Sequence, residues 1–103
     1  MNYRVVIAPR ALKDVEEIYQ WIATVQLAPL NAARWFNGVF EAIATLAEFP
    51  QRCPRASESA FFEREIRQLL YHSHRVLFAI EADWIEVFHI RHGSQSPLNP
   101  HDF

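Results

Sequence analysis

The 103 residues predict an α+β domain: a small antiparallel sheet with a helical hairpin packed on one face. Three observations carry this. A short β-branched run opens the chain. Two amphipathic stretches, each led by a proline, fill the first half. Three strand-like runs separated by very short turns fill the second. The order is β-α-α-β-β-β, which suits helices gathered on one side of a sheet.

Tyr3 to Ile7 is β-branched and bounded by Pro9, so it reads as a strand. Pro9 then suits the first position of a helix, where a missing N–H costs nothing. In "RALKDVEEIYQWIA", Leu12, Val15, Ile18, Tyr19 and Ile22 recur at helical spacing. Arg10, Lys13, Asp14, Glu17 and Gln20 take the other face, so this helix docks one stripe on a core. The second helix starts near Pro29, with Asn31 as its expected cap. Its stripe is Phe36, Val39, Phe40, Ile43, Leu46 and Ala47, and Pro50 closes it. "PQRCPRASESAFFE" reads as loop.

The meander follows. "REIRQLLY" is its first strand. In "HRVLFAIEA", Val76, Phe78 and Ile80 alternate with Arg75, Leu77 and Ala79. Ala82-Asp83 makes a tight turn. "WIEVFHIRH" alternates again, which puts Ile85, Val87, His89 and Arg91 on one side and Trp84, Glu86, Phe88, Ile90 and His92 on the other. The domain is expected over residues 1–93. The proline-containing tail 94–103 reads as a segment ordered by a partner. With helices on one face, the other face of the sheet is the expected seat of function.

Composition narrows the function classes. Half the chain is hydrophobic and 14% is aromatic, enough for a core. No apolar run reaches the roughly 20 residues of a membrane helix, and the N-terminus lacks a secretory pattern. Cys53 is the one cysteine, so a disulfide framework is excluded. These features point to the cytoplasm. The net charge of -2 argues against binding nucleic acid mainly through phosphates, which takes a cationic surplus. Nine of the ten basic residues are nevertheless Arg, the side chain suited to bidentate contact with phosphate or carboxylate.

Candidate chemistry centres on those arginines. Arg67, Arg75 and Arg91 fall on three successive strands, where neighbours lie within about 5 Å. On a shared face they would form a cationic patch for a phosphate or carboxylate. A metal-free ribonuclease needs such a cation beside a general base and acid, and His92 or Tyr71 is placed to supply the latter. The alternative is that these arginines pair with Glu63, Glu65, Glu81 or Glu86. The five histidines lack metal-ligand spacing, so neither a metal nor a cofactor is expected. Cys53 sits among Arg and Pro, a setting that can activate a thiol, but no base stands at a recognisable spacing, and a packing role is expected.

The three blocks "YRVVIAPRALKDVEEIYQWIA", "AARWFNGVFEAIATLAEFPQRCP" and "REIRQLLYHSHRVLFAIEADWIEVFHIRHGSQ" together resemble toxins of the RelE/ParE superfamily, from bacterial type II toxin–antitoxin modules. The resemblance spans nearly the whole chain and rests on the order and spacing of its blocks. It implies one of two activities. RelE-like members are ribosome-dependent endoribonucleases that cut messenger RNA; ParE-like members poison DNA gyrase. Both are neutralised by a cognate antitoxin in a hetero-oligomer. Arg75 matches the sheet arginine of the nuclease branch, and Arg67, Arg91 and His92 complete the catalytic set that branch implies. Gln95, however, stands where a nuclease of this type carries a His, and Gln is neither acid nor base. The lysine-rich segment of that branch is replaced by "CPRASESAFFERE", which holds acids. The expectation therefore falls on the ParE-like branch. A ribonuclease acting on mRNA at the ribosome, or a non-toxic interaction domain, are the alternatives. Arg75, Phe88, Ile90 and Arg91 are the expected contacts for an antitoxin segment laid on the sheet as a helix or added strand.

Overall fold

The computed structural model describes residues 2–93. The expected partner-ordered tail, and Gln95 with it, lies outside the described residues. Strand β1 (Arg4–Ile7) leads through Ala8 into α1 (Pro9–Gln20), with proline at the helix start as expected. The helix continues as a wider π-helical turn over Trp21–Val25. Helix α2 (Pro29–Ala44) follows, then a 3-10 turn over Thr45–Ala47. Ala28, not Asn31, precedes the first turn of α2; Pro29 takes the initial position and leaves Asn31 inside the helix. Strands β2 (Arg67–Tyr71), β3 (His74–Ile80) and β4 (Trp84–His92) follow.

The turn that follows α2 is held by Arg52. The Arg52 guanidinium donates to the carbonyls of Glu48 (2.9 Å) and Phe49 (3.1 Å) and to the Thr45 hydroxyl (2.8 Å). These bonds fasten the loop that follows α2 to the 3-10 turn at its end.

The sheet order is β1-β4-β3-β2. The meander is antiparallel as expected, but β1 lies parallel to β4, with Val5 opposite Ile85. The sheet is thus mixed. α1, α2 and the loop after them carry the chain from β1 to β2 at the far edge of the sheet, and the meander β2-β3-β4 then returns to place β4 beside β1. The short length of β1 leaves the outer edge of β4 bare beyond Val87. Asp14 of α1 covers that edge: its carboxylate accepts the Ile90 N–H at 2.9 Å and lies beside His89.

The register of β3 and β4 shifts between Leu77 and Phe78. Leu77 faces His89 and Phe78 faces Val87, so Phe88 is the extra residue of a β-bulge. This reverses the alternation expected for the end of β4. Ile90 joins Ile85 and Val87 among the helices, whereas Phe88 and Arg91 lie on the opposite side.

The main core sits between helices and sheet. Ala11, Val15, Val39, Ile43 and Leu46 meet Val76, Phe78, Ile85 and Val87, all at most 2% exposed. Each large side chain buried there contributes about 1.5–3 kcal/mol. The other face is not left open. Residues 53–66 return across it as a strap, and Ala56, Ile66, Leu77, Ala79 and Phe88 form a second apolar cluster beneath.

Candidate functional site

The strap decides the environment of Arg75. Strand pairing places Leu70 and Arg91 on either side of it. A short 3-10 turn, Ser57–Phe61, carries Glu58 directly over it. Arg75 Nη1 donates to Glu58 Oε1 at 2.9 Å and Nη2 to Oε2 at 2.7 Å. Nη1 also meets Gln68 Oε1 at 3.1 Å. Glu58 is 0% exposed and Arg75 9%. The bond to Glu58 holds the guanidinium pKa above its ordinary value, against the opposing effect of burial.

The strap is tied at several further points. Ala56 N–H donates to the Ile66 carbonyl and Gln68 N–H to that of Pro54, at 2.8 and 3.0 Å. The Ile66 N–H is taken by the Ser59 hydroxyl at 3.0 Å. Arg64 bridges Glu81 and Glu86, each at 2.8 Å, and its guanidinium lies 5.2 Å from the Phe88 ring centroid. The expected pairing of arginines with Glu81 and Glu86 is thus made by Arg64.

The three-arginine patch does not form. Arg67 stands opposite Phe78, on the helix side of the sheet. There its Nη1 donates to the carbonyls of Cys53 and Gln51, and its Nη2 lies 3.3 Å from Glu65. Arg75 and Arg91 do share a face, but Arg75 is neutralised. Arg91 makes no ion pair among the described residues, and its Nε is buried without a partner. Phe88 and Ile90, expected as partner contacts, are 8% and 3% exposed, one under the strap and the other against the helices.

His92 lies on the face opposite Arg75 and Arg91. It belongs to a cluster at the α2 end of the sheet. The His74 and His92 rings are 5.3 Å apart, Trp35 sits 5.2 Å from His74, and Tyr71 packs on both Trp35 and His72. Burial lowers the His74 pKa, and the neighbouring His92 and His72 lower it further. Burial, aided by Glu41, raises that of Tyr71. The Tyr71 hydroxyl reaches the backbone of α2 over Gly38, where a Cβ would fall 2.0 Å from that oxygen. A base and a phosphate-holding cation are therefore on different faces.

Cys53 is buried. Burial raises its pKa and outweighs the lowering by Arg52 and Arg67, the reverse of an activated thiol. Among the described residues no cluster of three His, Cys, Asp or Glu is placed to hold a metal ion. No helix among them is long and apolar enough to cross a membrane.

A groove between α1 and α2, on the side away from the sheet, is a feature the sequence reading missed. It encloses about 550 Å³ and is lined by Leu12, Tyr19, Phe36 and Phe40, with Glu16 at its rim. Phe36 stacks edge-on against Tyr19 at 5.5 Å and against Phe40 at 5.1 Å. The apolar stripes of both helices are too broad for one contact. That breadth is the signal the sequence offers, although an apolar helical stripe by itself reads as core.

The model of a family described as the ParE toxin of type II toxin–antitoxin systems, parDE, matches residues 5–97. No curated protein matches the sequence. Among solved structures, a chain of the chromosomal ParDE toxin–antitoxin system of P. aeruginosa superposes with a TM-score of 0.74 at 18% identity, covering 87% of this chain and 95% of that one. A chain of the RelBE2 toxin–antitoxin complex from Mycobacterium tuberculosis gives 0.57 at 20% identity, with 89% and 99% covered. One of the archaeal RelE–RelB complex from Pyrococcus horikoshii OT3 gives 0.53 at 14% identity, with 93% and 100% covered. At these identities the three share its fold.

Proposed function

The chain belongs to the family of ParE toxins of type II toxin–antitoxin systems, and from that premise we propose that it arrests growth by inhibiting DNA gyrase, without cutting RNA, until a cognate antitoxin neutralises it. The observation that carries the non-nucleolytic part is the buried Arg75–Glu58 pair. A phosphoryl transition state needs a cation free to meet developing charge. Here the sheet arginine spends both ends of its guanidinium on a carboxylate under the strap. His92, the candidate acid or base, faces the other way.

The groove between α1 and α2 suits the antitoxin. Its concave apolar floor fits an amphipathic helix with anchors one turn apart, and the acid at its rim favours Lys or Arg flanking those anchors. Arg91 supplies a second contact, for an acidic side chain of the same antitoxin. The site of action is the cytoplasm, and the neutralised form is a toxin–antitoxin hetero-oligomer.

Inducing the chain alone in bacteria should stop growth, and the purified protein should inhibit gyrase supercoiling while primer extension finds transcripts intact. Codon-linked cuts together with unaffected supercoiling would instead establish the ribosome-dependent ribonuclease. Unimpaired growth at full expression would leave only an interaction domain.

A further inference from the structure

The turn of the helical hairpin carries no formal charge: residues 18–33 contain no Asp, Glu, Lys or Arg. Among the described residues, the two most exposed large apolar side chains, Leu27 and Leu30, lie here. Trp21 is 51% exposed, Val25 63%, Leu27 81% and Leu30 74%. These fractions leave roughly 500 Å² of apolar surface open, the scale of patches that are often functional.

The backbone there is unusual as well. The last turn of α1 widens into a π-helix over Trp21–Val25, a feature frequent at functional sites. Leu27 sits in the left-handed region at φ 52°, a conformation disfavoured for a leucine. The π-turn carries Ile22 into the core, and the left-handed Leu27 closes the helix end, with the Ala28 N–H donating to the Ile22 carbonyl at 3.1 Å, yet the Leu27 side chain itself is the most exposed of the four. Such a cap is usually Gly or Asn, so a leucine held there with its side chain in solvent points to a contact made outside the chain.

The shape and chemistry restrict that contact. The hairpin end is a knob, so it calls for a cleft, unlike the concave groove beside it. With no charge over 16 residues, it offers nothing to an acidic or basic surface. Its area falls short of the about 800 Å² per partner of a stable pair of copies. We propose that this tip is the element with which the toxin engages its target: Trp21, Val25, Leu27 and Leu30 enter an uncharged, apolar cleft of the target protein. This rests on the toxin reading above and adds the surface that delivers it.

The test uses the full chain with Leu27→Asn and Leu30→Ser combined. Both side chains lie largely in solvent, and Asn tolerates the left-handed backbone, so melting temperature and antitoxin binding should not change. Half-inhibition of gyrase supercoiling should need at least a tenfold higher concentration. Inhibition within twofold of wild type overturns the proposal. So does a wild-type dimer that the double variant dissociates, which makes the patch a self-contact. Wild-type co-sedimentation with phosphatidylethanolamine–phosphatidylglycerol vesicles, lost in the variant, overturns it in favour of a bilayer. If the wild type leaves gyrase untouched yet stops growth, growth is the readout: a folded double variant that no longer arrests cells keeps the tip and removes gyrase, and one that still arrests them removes the tip. A wild type that does neither overturns both readings.

Discussion

Replacing Arg75 by Met should destabilise the protein severely, and replacing Glu58 as well should restore most of the loss. Met keeps the length of the arginine stem but takes the two guanidinium donors away from the Glu58 carboxylate, which is 0% exposed. Removing one partner of a buried ion pair typically costs about 3–5 kcal/mol, whereas exchanging both charges for apolar groups is often neutral. A domain of this size has about 5–15 kcal/mol in all. At roughly 4–8 °C per kcal/mol, even a 3 kcal/mol loss lowers the melting temperature by about 12–24 °C. The assay is urea unfolding of wild type, Arg75→Met, Glu58→Leu and the double variant. The two single variants should each lose several kcal/mol, and the double variant should lie within about 2 kcal/mol of wild type. An Arg75→Met protein within 1 kcal/mol of wild type would refute the reasoning, as would a double variant no better than either single. A practical consequence follows: loss of toxicity in an Arg75 variant reports on folding unless its stability is measured alongside.

Gly38→Ala should destabilise by about 1–3 kcal/mol through overpacking, because the new Cβ meets the Tyr71 hydroxyl. Adding Tyr71→Phe should recover part of that in thermal melts, and no recovery would place the strain elsewhere. Asp14→Ala should cost about 1–3 kcal/mol by orphaning the Ile90 N–H, with Asp14→Asn, which keeps an acceptor, costing less in the same unfolding series. Stability should also fall with acid. His74 has a folded pKa below its ordinary 6.5, so the unfolded chain takes up a proton that the folded one refuses. The contribution is fully present above about pH 6.5 and is lost as pH falls through the lowered folded value. Chemical unfolding at pH 7.5 and 5.5 should show this difference, and His74→Gln should shrink it; an unchanged difference would assign the dependence to other groups.

Local pattern was sufficient for the elements themselves. Proline placement, 3.6-residue and two-residue apolar periodicity and two-residue turns depend only on near neighbours, so both helices, the meander and the α+β class were legible in the chain. The order of those blocks also carried the superfamily. Tertiary structure decided everything that depended on which elements meet. The parallel pairing of β1 with β4 cannot be read from either strand, because a short β-branched run suits both directions. A single bulge at Phe88 separated Phe88 from Ile90 and put Arg91 beside Arg75, since one inserted residue reverses every side chain after it. The pairing of Arg75 with Glu58 spans 17 residues and depends on a strap whose sequence reads only as loop. That contact turned a candidate catalytic arginine into a buried structural cation, because a charge in a protein interior is governed by the partner the fold places over it rather than by the strand that carries it.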